Sequence, residues 1–333
     1  MPVTEPLFFA PILMDRVWGG TRLADVFGKK GAPGRTIGES WELVDRPEAQ
    51  SVVSGGTYAG RTLEQLLKEH PDIWGELAPP DRFPLLIKYV DAGAPLSVQV
   101  HPDDEQAKAF NDRGKSECWV VVHSEPGAEV IRGLKPGTTR ESFDAALAAE
   151  RIEDVLHSFH PKAGDIIALP AGMVHAIGSG LLVAEVQQNS DLTFRVYDYK
   201  RMGLDGKPRQ LHVKEALSVI RFDKPLQHFS GDLNADTVAP LSRERCGDAI
   251  FEHVLEGRYF WMDRWTFEAK GSELLNVWPK APRVAMALAG SGALGGREFV
   301  AGQTVLLPAG VPQIRLDADA GGLTVLVSAP SAA

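Results

Sequence analysis

The chain has 333 residues, enough for two hydrophobic cores, and its 44% hydrophobic and 24% charged content is that of an ordinary globular protein. No apolar run reaches the length of a membrane span, and Met1-Pro-Val-Thr-Glu5 lacks the basic start of a secretion signal, so neither a membrane partner nor export is expected. A net charge of −9 argues against non-specific nucleic-acid binding, and two cysteines, Cys118 and Cys246, are too few for a disulfide framework, which suggests a cytoplasmic setting.

Residues 1–60 read as irregular β structure, with short runs at Leu7-Phe-Phe, Arg16-Val-Trp-Gly-Gly and Ser40-Trp-Glu-Leu-Val between glycines and prolines. The basic loop Lys29-Lys-Gly-Ala-Pro-Gly-Arg35 is expected to be solvated. Thr62 can cap a helix that carries Leu63, Leu66 and Leu67 at helical spacing. Strands are expected over Phe83–Val90 and Leu96–His101. In the second, Ser97, Gln99 and His101 alternate with Leu96, Val98 and Val100, which puts the polar groups on one face. The following Pro-Asp-Asp ends that strand and starts a helix near Asp103, leaving His101 at a strand end.

Glu117 enters the β-branched run Cys118–Val122, with Lys115 two residues earlier on the same face. A carboxylate entering a buried strand is costly unless paired or metal-bound; the alternative is a surface pair worth under about 1 kcal/mol. Residues 138–159 read as two short helices inserted into the β unit. A strand from Leu181 leads to Leu192–Tyr199, where Thr193, Arg195 and Tyr197 face away from Leu192, Phe194 and Val196. Gly203–Pro208 is a turn, Leu211–Ile220 a helix and 225–245 a linker. Short strands follow from Ala249, with Gly290–Gly296 as a hairpin turn and Ser328–Ala333 as a loose tail.

The stretch Gly164-Asp-Ile-Ile-Ala-Leu-Pro170-Ala-Gly172-Met-Val-His175 organises the chain. Ile166–Leu169 suits a buried strand, Pro170 and Gly172 supply a tight turn, and the next strand presents His175. This reads as a hairpin at the mouth of a β-barrel, its histidine either a metal ligand or a packing residue. The same frame returns as Gly302-Gln-Thr-Val-Leu-Leu-Pro308-Ala-Gly310-Val-Pro-Gln313, with glutamine in the histidine's place. Such a repeat implies two copies of one β unit and one working site. The candidate ligands are Gln99, His101, Glu117 and His175. Two imidazoles, a carboxylate and an amide oxygen suit Zn2+, and the histidines with the carboxylate also suit Fe2+ or Mn2+.

The spacing Gly-x5-Pro-x-Gly-x2-His resembles the second half-motif of the cupin superfamily. The longer segments Phe83–Ala92, Pro95–Asp104, Gly114–Trp119, Gly164–Gly178, Glu185–Tyr199 and Gly206–His212 resemble the type I mannose-6-phosphate isomerases in their short bacterial form. The resemblance spans residues 8–222. It implies a mainly β fold of two jelly-roll (cupin) units with helical insertions: a catalytic unit over 1–228 and a degenerate unit over 229–333 without the metal site. It also implies a zinc-dependent aldose–ketose isomerase that interconverts mannose 6-phosphate and fructose 6-phosphate through an enediol or enediolate. One Zn2+ per chain would be held by Gln99, His101, Glu117 and His175. Arg195 falls on the family's catalytic arginine and Lys115 on a lysine beside the metal. Lys88 and Ser97 fall on positions near the substrate phosphate, with Arg201 close by. Phe194 stands where a tyrosine is usual and Lys200 where an aspartate is common. The partner expected is a small sugar phosphate; the sequence carries no signal for an oligomeric state. The base stays open among Lys115, a metal-bound water and a histidine. Two rivals use the same residues: an Fe2+ oxygenase and a non-catalytic sugar-phosphate-binding cupin.

Overall fold

The computed structural model describes residues 2–78, 80–275, 281–311 and 313–331. They form a mainly β, cupin-type architecture of antiparallel sheets with 10, 6, 5 and 2 strands and few helices. No described helix is long and apolar enough to cross a membrane.

The first jelly roll closes a six-stranded sheet over a five-stranded one. The larger runs in the order Ile166–Leu169, Glu117–Ser124, Leu181–Gln188, Leu85–Ala92, Ile12–Gly20 and Ile37–Leu43. The smaller runs Leu156–Phe159, Val130–Leu134, His175–Ile177, Val98–Val100 and Phe194–Tyr197. Between them Trp18, Val90, Trp119, Val130, Ile177 and Val183 form one apolar cluster.

Every residue of Leu85–Ala92 is buried, because this strand has protein on both faces. Leu85, Ile87 and Tyr89 point to the core shared with the second unit, where Met262, Val284, Met286 and Leu326 meet them. Each such aliphatic side chain contributes about 2 kcal/mol of burial. The Tyr89 hydroxyl donates to the Ala287 carbonyl at 3.0 Å across this seam. Alternate residues Val90 and Ala92 face the first barrel, and Lys88 shares their side of the strand.

The ten-stranded sheet belongs mostly to the C-terminal half. It also takes in Leu7–Ala10, which pairs with Thr304–Leu307, Leu7 opposite Leu306. The repeat read from the sequence is visible in the backbone. Gly164 and Gly302 both adopt left-handed φ, 91° and 88°, which favours glycine at each. Leu169 stands opposite Glu117 in one copy, and Leu307 stands opposite Arg283 in the other. Arg283 thus takes the position that Glu117 has in the first copy. Its side chain is fully buried, and Nη2 donates to the carbonyls of Pro308, at 3.4 Å, and Val311. Burial pushes its pKa down to about 10. Gln313 is exposed.

Several local expectations are corrected. The Gly164–His175 stretch is not a hairpin: Ile166–Leu169 pairs in the six-stranded sheet and His175–Ile177 in the five-stranded one. Pro170 has no N–H to extend a ladder, and Gly172, at φ 82°, donates its N–H to the His101 carbonyl at 2.8 Å. A Cβ at Gly172 would meet the Val219 carbonyl oxygen at 2.9 Å, so the corner requires glycine. Lys29 is not solvated; its Nζ lies 2.6 Å from the buried Glu42 carboxylate. Residues 138–159 hold one α-helix, Arg140–Ala148, a 3-10 turn, Ile152–Asp154, and a strand, Leu156–Phe159. Gly290–Leu294 continue a strand that turns at Gly295 and Gly296, both with positive φ. Ser328–Pro330 end the last strand rather than form a loose tail, whereas Ala332, Ala333 and Pro312 lie outside the described residues. The linker is partly core: Phe229, Leu233 and Val238 pack into the seam. The capped helices at Thr62 and Asp103 form as expected, each closed by a capping box with Gln65 or Gln106.

Candidate metal and substrate site

The strand Val98–Val100 places the first ligand candidates. Val98 and Val100 pack into an apolar cluster beneath the sheet, which turns Ser97, Gln99 and His101 into the barrel. That polar face is not wet: Ser97 and His101 are buried. Gln99 pairs in register with His175 on one neighbouring strand and with Arg195 on the other. Glu117 comes from the opposite sheet, at the first residue of its strand.

One ligand atom each from His101, Glu117 and His175 lies within 4.8 Å of the others. His175 Nε2 is 3.2 Å from Glu117 Oε1, and His101 Nε2 is 3.6 Å from Oε2. The Gln99 amide lies 3.3 Å from His175 Nε2. His101 Nδ1 is bonded to the Leu192 carbonyl at 2.7 Å and His175 Nδ1 to the Met173 carbonyl at 2.9 Å. A carbonyl can only accept, so the proton sits on Nδ1 and each Nε2 keeps its lone pair toward the shared centre. Neither Glu117 oxygen accepts a well-formed hydrogen bond from the described residues, although both are buried. A buried carboxylate facing two imidazole lone pairs is the donor set a divalent cation requires. The residues present fit a metal.

Lys115 Nζ stands at 2.8 Å from Glu117 Oε2, 3.1 Å from His101 Nε2 and 3.7 Å from Glu185 Oε1. Burial opposes the charge on Glu117, but the Lys115 ammonium leads the groups that outweigh it and hold the carboxyl well below the usual range. Burial and Lys115 hold the His101 pKa well below the ordinary value. Trp119 packs edge-on against the His175 ring, centroids 5.5 Å apart.

Beside this cluster lies a pocket of about 500 Å3. Lys88, Ser97, Gln99, Lys115 and Arg195 are on its wall. Lys88 Nζ is 3.3 Å from Glu185 and 4.0 Å from Glu39. Burial opposes its charge, but these two carboxylates more than compensate and raise its pKa. Arg201 is not brought to the pocket: Nη2 donates to the Pro95 carbonyl, and the guanidinium pairs with Asp198 at 3.6 Å.

The wall residues with no role assigned from the sequence include Arg16, Glu39, Glu185, Asp191 and Arg209. Glu185 is in register with Lys88 on one side and Trp119 on the other. Burial and the nearby Glu117 push its pKa up to about 7, against Lys88 and Lys115. Glu39 behaves oppositely. Burial disfavours its charge, but Lys88 and the two-pronged Arg16 bond bring it down to about 2. The available signal was the one used for Glu117, an acid in an otherwise apolar strand.

A family model described as phosphomannose isomerase type I, catalytic domain, matches residues 7–117. The mannose-6-phosphate isomerase ManA of Bacillus subtilis (strain 168) is 37% identical over 321 residues, covering 94% of this chain and 96% of that protein. The chain belongs to the type I mannose-6-phosphate isomerase family. A mannose-6-phosphate isomerase of Streptococcus mutans is 39% identical over 224 residues, 67% of this chain and 70% of its own. The crystal structure of the Bacillus subtilis mannose 6-phosphate isomerase matches with a TM-score of 0.85 at 31% identity, covering 97% of this chain and 99% of that one. The family match takes in His101 and Glu117, and the strand that brings His175 to them lies beyond it.

Proposed function

We propose that the chain is a zinc-dependent aldose–ketose isomerase acting on mannose 6-phosphate and fructose 6-phosphate through an enediol or enediolate. The observation that carries this reading is the convergence of His101, Glu117 and His175 beside a polar pocket whose wall includes Lys88, Gln99, Lys115 and Glu185. Zinc held by these three residues and Gln99 would act as a Lewis acid toward the C1 and C2 oxygens.

The chain's own residues account for the rest. Isomerisation takes a proton from the carbon beside the carbonyl and returns it to the neighbouring carbon. The carrier must hold and release it near neutral pH. Glu185, whose carboxyl is pushed above the ordinary range by burial and the nearby Glu117, is a pocket-wall acid suited to that role. Lys88 and Lys115, at 3.3 and 3.7 Å, stabilise its carboxylate while it waits for the proton. Lys115 also touches Glu117, so it ties the proton carrier to the ligand set. Ser97 offers a neutral hydrogen bond to the substrate from the facing sheet. Arg195 brings positive charge to the phosphorylated substrate.

The test is a coupled assay with mannose 6-phosphate that follows fructose 6-phosphate before and after chelation and zinc add-back. Turnover that disappears with chelator and returns with zinc is expected. A zinc-loaded sample with no turnover would overturn the reading.

A further inference from the structure

We infer that Arg16, Arg195 and Arg209 form the subsite for the substrate's phosphate, and that Arg209, not Arg201, is the second guanidinium beside Arg195. This rests on the reading of the pocket as a sugar-phosphate site.

The sheet sets the distance between the two ends of the substrate. Gln99 stands opposite His175 on one side and opposite Arg195 on the other. His175 and Arg195 are therefore two strand spacings apart, about 10 Å. That is comparable to the carbonyl-to-phosphate reach of an extended six-carbon sugar phosphate. A substrate whose carbonyl end lies at the histidines presents its phosphate near Arg195.

Arg195 is poised for an anion. It forms no ion pair among the described residues. Its Nε is buried without a hydrogen-bond partner, and Nη1 donates to the Gln210 carbonyl at 3.4 Å. Burial and Arg209 lower its pKa, Asp198 and Asp191 oppose this, and Arg16 adds to it. Three guanidiniums therefore stand close enough to repel one another. Asp191, also on the pocket wall, offsets part of that repulsion at both Arg16 and Arg195.

The two flanking arginines are held in fixed orientations. Arg209 Nη1 donates to both Asp198 oxygens at 3.1 and 3.0 Å. Arg16 donates through Nε and Nη2 to the two Glu39 oxygens at 2.9 and 3.1 Å. A guanidinium has five N–H donors, so each clamp leaves part of the fork for a ligand. Arg201 also has a buried Nη1 without a hydrogen-bond partner, but it is not on the pocket wall. It is turned to Pro95, Asp198 and the Tyr199 ring, away from the pocket wall. Lys88 is engaged by Glu185 and Glu39.

The experiment titrates inorganic phosphate calorimetrically into the full chain as wild type, R209Q, R209K and R201Q, alongside KM and kcat for mannose 6-phosphate. R209Q should bind phosphate about tenfold or more weakly and raise KM in parallel, with a smaller change in kcat. R201Q should bind phosphate as wild type does. If R209Q fails to fold by circular dichroism, R209K carries the test, because an ammonium cannot reproduce the fork. Wild-type phosphate affinity in R209Q and R209K, loss confined to R201Q, or no phosphate binding by wild type would each overturn the subsite. Phosphate binding that depends on Arg209 in a chain without turnover would instead sink the isomerase reading and leave the subsite standing.

Discussion

Glu39→Gln isolates the charge that holds the pocket's outer wall together. The carboxylate is buried, bonded twice to Arg16, bonded by the Trp41 indole N–H at 2.6 Å, and 4.0 Å from Lys88. Its pKa falls from the ordinary 4.5 to about 2 on folding. A depressed carboxyl pKa stabilises the fold above the unfolded value, and the gain is lost as pH falls through the folded one. A drop of this size corresponds to about 3 kcal/mol above about pH 5, of which roughly half is gone by about pH 3. The assay compares denaturant midpoints of wild type and Glu39→Gln at about pH 7 and about pH 3. The variant should be less stable by about 3 kcal/mol near neutrality, and the gap should narrow markedly in acid. A gap of the same size at both pH values, or no gap at neutral pH, would refute the reasoning.

Other perturbations separate the parts of the structure. Arg195→Ala should retain metal yet lose turnover by about 10²-fold or more, measured at saturating zinc; wild-type turnover would return Arg195 to a structural role. Ser116 Oγ lies 2.8 Å from His228 Nδ1 in the linker and accepts the Ala171 N–H at 3.1 Å, joining the Glu117 strand to the corner that carries His175. Ser116→Ala should cost about 1 kcal/mol and weaken metal binding about tenfold; unchanged affinity in a competitive zinc titration would contradict that link. Arg283→Met removes the donor to the Pro308 and Val311 carbonyls and should cost about 2–3 kcal/mol in thermal or denaturant unfolding. Its turnover should stay at the wild-type level, so a folded but inactive variant would show that the second unit acts in the chemistry.

The sequence carried the faces of the strands well, because a two-residue period is local. It could not say what covers each face. Ser97, Gln99 and His101 alternate in the pattern of a solvated strand edge, yet a second sheet closes over them. Lys88 and Glu185 sit opposite each other in register, a pairing between residues far apart in the chain. The stretch from Gly164 to His175 shows why the corner was missed. Its residues suit two strands and a turn, and nothing local states that the second strand joins the other sheet. Arg201 illustrates a different limit. Strand alternation ends at Tyr197, and then Tyr199 and Lys200 both take left-handed φ, 52° and 54°, redirecting the backbone before Arg201. The alternation that places Arg195 therefore does not extend to Arg201, and Arg209 reaches the pocket from the returning loop. The repeat was the most durable signal, since Gly164 and Gly302 serve the same backbone need in both units.

The most direct test of the account is the metal content of the purified chain and of His101→Ala after dialysis against zinc. The wild type should hold about one equivalent, as expected for a single two-histidine, one-carboxylate site, and the folded variant close to none. A variant that keeps a full equivalent would contradict the assignment of His101, Glu117 and His175 as the metal centre.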